Sequence, residues 1–198
     1  MKKTGIIIGI VAVLAIIVLW GISVNNRLVT ADEGVQQAWA QVENVYKRRA
    51  DLIPQLVATV QGAADFEKGT LTEVIQARAG VDNAKVDPSQ LTEEQIAAYQ
   101  KAQDNLSKAV ANTIKVTVER YPELTATAGF RDLQTQLEGT ENRIAVERGK
   151  FNEAVQSYNT SLRRFPASII ASICGFEKKG YFTAPEGSDE PMKVEFNF

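Results

Sequence analysis

The stretch from Phe130 to Phe165, FRDLQTQLEGTENRIAVERGKFNEAVQSYNTSLRRF, decides the fold. Phe130, Leu137, Ile144, Phe151, Tyr158 and Phe165 recur every seven residues, flanked by Val155 and Leu162. A seven-residue beat is close to two helical turns, so these side chains share one face and mark a long packed helix. Pro166 ends it, and Ile169-Ile170-Ala171-Ser172-Ile173 follows with room for one or two further turns.

A matching stripe lies early in the chain. Val35 and Val42 form one series, with Leu28 before them and Leu56 after; Trp39, Tyr46, Ile53 and Val60 form the other. Arg49 occupies the first series where an apolar residue is expected. Pro54 is expected to kink this helix, because it has no N–H for the carbonyl of Ala50, and Gly69 to stop it. Thr70-Leu71-Thr72-Glu73 reads as a capping box opening a shorter helix, and residues 82–89 as a loop. A second capping box, Thr92 to Gln95, opens a third helix with the stripe Ile96, Tyr99, Gln103, Leu106, Val110, Thr113 and Thr117. Tyr121-Pro122 closes it. Two long stripes of similar length pack most simply side by side. The expected fold is all-α: an elongated bundle of about four helices, two of them long, over residues 25–179.

The bundle follows an apolar run from Gly5 to Val24, GIIIGIVAVLAIIVLWGISV. About 20 such residues cover the roughly 30 Å hydrocarbon layer. Trp20 suits an interface near the far end. A cleaved signal usually has a shorter apolar run, and unbroken hydrophobicity on all faces argues against a buried core helix, so residues 5–24 read as an uncleaved transmembrane signal-anchor. Lys2 and Lys3 precede the run, whereas Arg27 is followed by Asp32 and Glu33. The positive-inside bias then places residues 1–4 in the cytoplasm and the helical domain outside it. Residues 180–198, rich in Gly, Pro and acids, read as a flexible tail. Val194 to Phe198 alternates as a strand would, so Phe196 and Phe198 are candidate partner-docking residues, with a strand lying on its own bundle as the plainer reading.

Composition narrows function by exclusion. The net charge of −2 provides no concentrated basic face, which argues against nucleic acid as a partner. The chain has no histidine, the commonest general base and metal ligand. Its single cysteine, Cys174, reads as a small buried hydrophobe. Two polar clusters remain: Arg48, Arg49 and Asp51 before Pro54, and Glu138, Glu141, Asn142 and Arg143 with Glu147 and Arg148 beyond. Carboxylates one turn apart can hold a metal or share acid–base work, but bundle metal sites usually add histidines. The clusters read instead as interhelical ion pairs among Arg49, Asp51, Glu141 and Arg148 that set register. No catalytic, cofactor or metal residue is expected.

Several motifs resemble the LemA family. They are Ala38-Trp39, Tyr46 to Val57 (YKRRADLIPQLV), Tyr121 to Leu124 (YPEL), Leu133 to Ala145 (LQTQLEGTENRIA), Phe151-Asn152, Tyr158-Asn159, Phe165-Pro166, Gly175-Phe176 and Tyr181-Phe182. Phe151 departs from the family, which often has tyrosine there; the ring is kept and a hydroxyl lost. The resemblance implies a bacterial, membrane-anchored helical protein without established enzymatic activity. One relative takes part in building magnetosome membranes, and members often lie beside membrane peptidases in genomes. The expected function is a non-enzymatic scaffold that self-assembles at the cell envelope, with Trp39 and the third helix facing a neighbouring copy. The alternative is an adaptor for a membrane protease or other envelope partner.

Overall fold

A computed structural model describes residues 2–62 and 68–184. Among them the fold is all-α, with six helices: α1 (Lys2–Gln61), α2 (Lys68–Asn83), α3 (Glu93–Arg120), α4 (Pro122–Thr125), α5 (Ala128–Arg163) and α6 (Ala167–Cys174). The expected bundle of about four is present, with α4 and α6 as short additions. At 60 residues, α1 is about 90 Å long at 1.5 Å per residue. The apolar run and the first packing stripe belong to this one helix, which continues through Asn25, Asn26 and Pro54 without interruption. The large apolar side chains from Ile6 to Ile22 are exposed, and burial begins at Val24 and Leu28.

The two long stripes do pack side by side. Arg49 meets Glu141, Trp39 meets Phe151, and Gly21 meets Ile170 of α6. The ten residues from Arg49 back to Trp39 are matched by the ten from Glu141 on to Phe151, so α5 runs antiparallel to α1 and brings α6 to the end of the bundle beside Gly21. Asn112 of α3 donates to Glu73 of α2, closing the other side of the bundle. The buried apolar side chains fall into two clusters. One holds Leu28, Val35, Trp39, Val42, Tyr46, Ile96, Tyr99, Ile144, Phe151 and Tyr158. The other, farther from the apolar run, holds Leu52, Leu56, Val60, Val74, Leu106, Phe130, Leu133 and Leu137.

Local signals explain several boundaries. Thr92 caps α3 by accepting from Gln95 N–H at 3.3 Å. The same chemistry starts α5, where Thr127 accepts from Phe130 N–H at 3.3 Å. Gly175 ends α6 with φ of +75°, a left-handed conformation that glycine adopts without steric cost. The first capping box fails: α2 already starts at Lys68, Gly69 lies inside it, and Thr72 Oγ1 donates back to the Lys68 carbonyl at 2.8 Å.

Other expectations are corrected. Phe165 continues the heptad in sequence but is 82% exposed, because α5 ends at Arg163 and Arg164 is already extended. Cys174 is exposed rather than buried. The tail expected from Gly180 instead starts docked, with Gly180 and Phe182 buried. Val194 to Phe198, including Phe196 and Phe198, lies outside the described residues.

Candidate functional site

Arg49 sits where the early stripe breaks its apolar rule, and it marks the join between the two core clusters. It is 1% exposed. Its Nη1 donates to Glu141 Oε1 of α5 at 2.8 Å and to Ser107 Oγ of α3. Its Nη2 donates to the Gln103 carbonyl at 2.9 Å and to Gln103 Oε1. The guanidinium also lies 5.1 Å from the Tyr46 ring centroid, close enough for a cation–π contact. Ser107 in turn donates to Glu141 at 3.1 Å. The planar fork of donors reaches both neighbouring helices at once, so this layer is a clamp across α1, α3 and α5.

The other candidate residues divide around this clamp. Arg148 pairs with Asp104 of α3 at 3.6 Å, not with the Arg49 layer. Asp51 is exposed and does not join the clamp. Arg48, Pro54, Asn142 and Arg143 are exposed as well, and Glu138 accepts from Gln134 within its own helix at 2.9 Å.

A second site was not legible as such in the sequence. Residues 176–184 leave α6 and run as an extended strap back along the bundle. Asn159 holds Lys179 through both backbone groups: Nδ2 donates to its carbonyl at 2.9 Å, and Oδ1 accepts from its N–H at 3.0 Å. Asn152 does the same for Phe182, at 2.8 and 2.9 Å. Gln100 of α3 repeats the pattern with Thr183, at 3.1 and 3.0 Å. The spacing has a simple basis. Seven helical residues between Asn152 and Asn159 rise about 10.5 Å, and three extended residues between Lys179 and Phe182 span about 10 Å. Each amide side chain therefore meets a peptide group in register.

The strap also ties in the loop before α3. Lys179 Nζ lies 3.1 Å from Asp32 Oδ1 of α1 and donates to the Ser89 carbonyl. Gly180 N–H donates to the Leu91 carbonyl at 2.8 Å. A Cβ at Gly180 would stand 2.5 Å from Glu93 Cα, so only glycine permits this approach. Phe182 then enters the aromatic core, stacked 6.0 Å from Trp39 and edge-on to Phe151 at 5.3 Å, with the Arg148 guanidinium 4.8 Å from its centroid. The available sequence signal was the pair Phe151-Asn152 and Tyr158-Asn159, a core ring followed by an amide at heptad spacing.

Burial in this core shifts three of the tyrosines. It raises the Tyr46 and Tyr158 hydroxyls above the usual phenol range and pushes Tyr99 up to about 12. For Tyr158 the nearby Asp32 charge adds to the effect of burial. A phenol whose folded pKa is raised contributes stability that is fully present below its unfolded value near 10. That contribution disappears as pH rises through the folded value. Phenolate absorbance in the folded protein is therefore expected to lag the denatured chain above pH ~10, with stability falling over the same window. Coincident folded and denatured titration curves would contradict it.

Among the described residues, one helix is long and apolar enough to cross a membrane, and it continues directly into an antiparallel bundle with a buried arginine layer, which defines a class of helical proteins with one candidate N-terminal span. Residues 38–196 match the LemA family, and the chain belongs to that family. It is 26% identical over 184 residues to magnetosome protein MamQ 2 of Paramagnetospirillum magneticum, covering 84% of this chain and 67% of the relative. It is 22% identical over 162 residues to protein LemA of Metamycoplasma hominis, covering 82% of this chain and 70% of that one.

Proposed function

We propose that the protein is a non-enzymatic scaffold, anchored by residues 5–24 in a bacterial plasma membrane and self-assembling at the cell envelope. The carrying observation is the continuity of α1, which leads from the apolar run into the core with no linker. A shared helix transmits any tilt of the anchor to the bundle, with no flexible linker between them. Tethering also raises local concentration, which favours assembly of copies through weak contacts. Lys2 and Lys3 favour a cytoplasmic N-terminus and an extracytoplasmic bundle. Relatives named as magnetosome proteins support a role in organising membranes. Trp39 and the α3 stripe do not supply the contact between copies, because both are buried in the chain's own core.

Full-length protein in mild detergent, sized by light scattering corrected for bound detergent, is expected to run as a discrete oligomer. A monomer would overturn self-assembly. The adaptor reading would then lead, with Phe196 and Phe198 as its candidate docking residues. Its test is deletion of Val194 to Phe198, which should release a co-purifying envelope partner.

A further inference from the structure

α6 carries an apolar stripe that the bundle does not cover. Ile169 and Ile173 lie four residues apart on one face of α6 and are 50 and 76% exposed, and Phe165, in the turn just before the helix, is 82% exposed. Ala171 on the opposite side is buried, and Ala167 and Ile170 pack against the core. The helix is thus apolar on both sides, one facing the protein and the other facing outward.

Its position identifies what lies outward. Ile170 Cδ1 is 3.6 Å from where a Cβ on Gly21 would stand. Gly21 belongs to the apolar run and precedes its end at Val24 by three residues, about 4.5 Å along the helix. Helices that lie in a membrane interface bury their apolar face about 5–10 Å into the headgroup–acyl boundary. Trp20, beside Gly21, is 39% exposed and is the residue type that settles at that level. Arg163 and Arg164, immediately before the stripe, are exposed, and arginine is a residue type that pairs with phosphate groups.

We propose that α6 is a second membrane contact, an interfacial helix whose Phe165, Ile169 and Ile173 enter the lipid surface beside the point where α1 leaves it. The proposal rests on the reading of residues 5–24 as a membrane span. It deepens the scaffold reading, because one crossing helix permits rotation and tilt whereas a crossing helix with an attached interfacial one fixes both. α6 joins the bundle through α1 and α5, so the lipid contact sets the direction in which the bundle stands.

The test uses the full chain in vesicles of phosphatidylcholine and phosphatidylglycerol. In a Cys174→Ser background, a polarity-sensitive fluorophore is attached at Ile173→Cys, and in a second protein at Ile75→Cys, an exposed position on α2 in the half of the bundle far from the apolar run. Both substitutions are on the surface, and helical content is checked first by circular dichroism. Expected at position 173 are blue-shifted emission and strong quenching by lipids spin-labelled near the headgroup end of the acyl chain, with weaker quenching by deep labels. Position 75 should remain water-like. Protein that floats with the vesicles but is water-like at position 173 overturns the interfacial helix and leaves the anchor standing. Protein that fails to float overturns the anchor reading itself. Blue-shifted emission that no lipid label quenches would assign the stripe to a second copy of the chain and overturn the lipid contact.

Discussion

Replacing Arg49 with alanine is expected to cost about 3–5 kcal/mol, the range found when one partner of a buried, hydrogen-bonded charge is removed. Two effects combine. The guanidinium satisfies Gln103 Oε1, Ser107 and Glu141, so its loss strands buried or half-buried acceptors. It is also among the largest fully buried side chains, so alanine leaves a void between the two apolar clusters. Glu141→Gln should cost far less, about 1 kcal/mol, because Glu141 is 43% exposed and water already screens its charge. Arg49→Met combined with Gln103→Leu should recover most of the alanine loss, since an apolar layer of similar volume removes donor and acceptor together. Urea unfolding of the full chain in mild detergent, followed by circular dichroism, gives all three values. Equal losses for Arg49→Ala and Glu141→Gln would show that the exposed carboxylate, not the buried hydrogen bonds, carries the layer. What the apolar variant is expected to lose is specificity of register, because a heptad stripe without a polar layer offers several similar alignments.

The second large effect is expected at Phe182. Truncation to alanine removes a ring that is 5% exposed among Trp39, Phe151 and Arg148, a change worth about 3 kcal/mol or more. The loss should appear mainly as detachment of the strap rather than global unfolding, because the α1–α5 stripe does not depend on it. Hydrogen exchange at the amides of Lys179, Phe182 and Thr183 should accelerate roughly a hundredfold, while amides in the middle of α5 change little. Gly180→Ala should act in the same direction, since its Cβ meets the backbone of Glu93, which cannot swing aside as a flexible side chain would. Uniform acceleration across α1 and α5 would mean that the strap is part of the cooperative core. Retained protection in the strap would mean that the three amide clamps hold it without the ring.

How far the sequence reached follows from the physics of each element. The apolar run of residues 5–24, the two heptad stripes and the α3 stripe are periodic along the chain, and periodicity alone determines which face of a helix is buried. Residues read that way, from Leu28 to Val60 and from Phe130 to Tyr158, are the ones found in the core. Arg49 also stood out, because a charge on an apolar stripe violates a local rule. Phe165 shows the limit: its register was right, but the helix ended two residues earlier, and register means nothing beyond the last hydrogen-bonded turn. Trp39 shows another, since its burial was legible but the neighbour that buries it was not.

Only the tertiary structure decided what meets what. The heptad says that Arg49 faces inward; the antiparallel alignment of α1 with α5 makes Glu141 its partner. Asn152 and Asn159 look like ordinary polar flanks until the strap is folded back at the spacing their helix provides. The C-terminal stretch looked mobile by composition, yet Lys179 to Thr183 is held because three side-chain amides and one aromatic slot await it. The sequence by itself determined the helices, their inward faces and the one stretch able to cross a membrane, because each is a property of neighbours along the chain. The clamp, the strap and the placement of α6 against Gly21 join residues far apart in the chain, and no periodicity along the chain encodes such a distance.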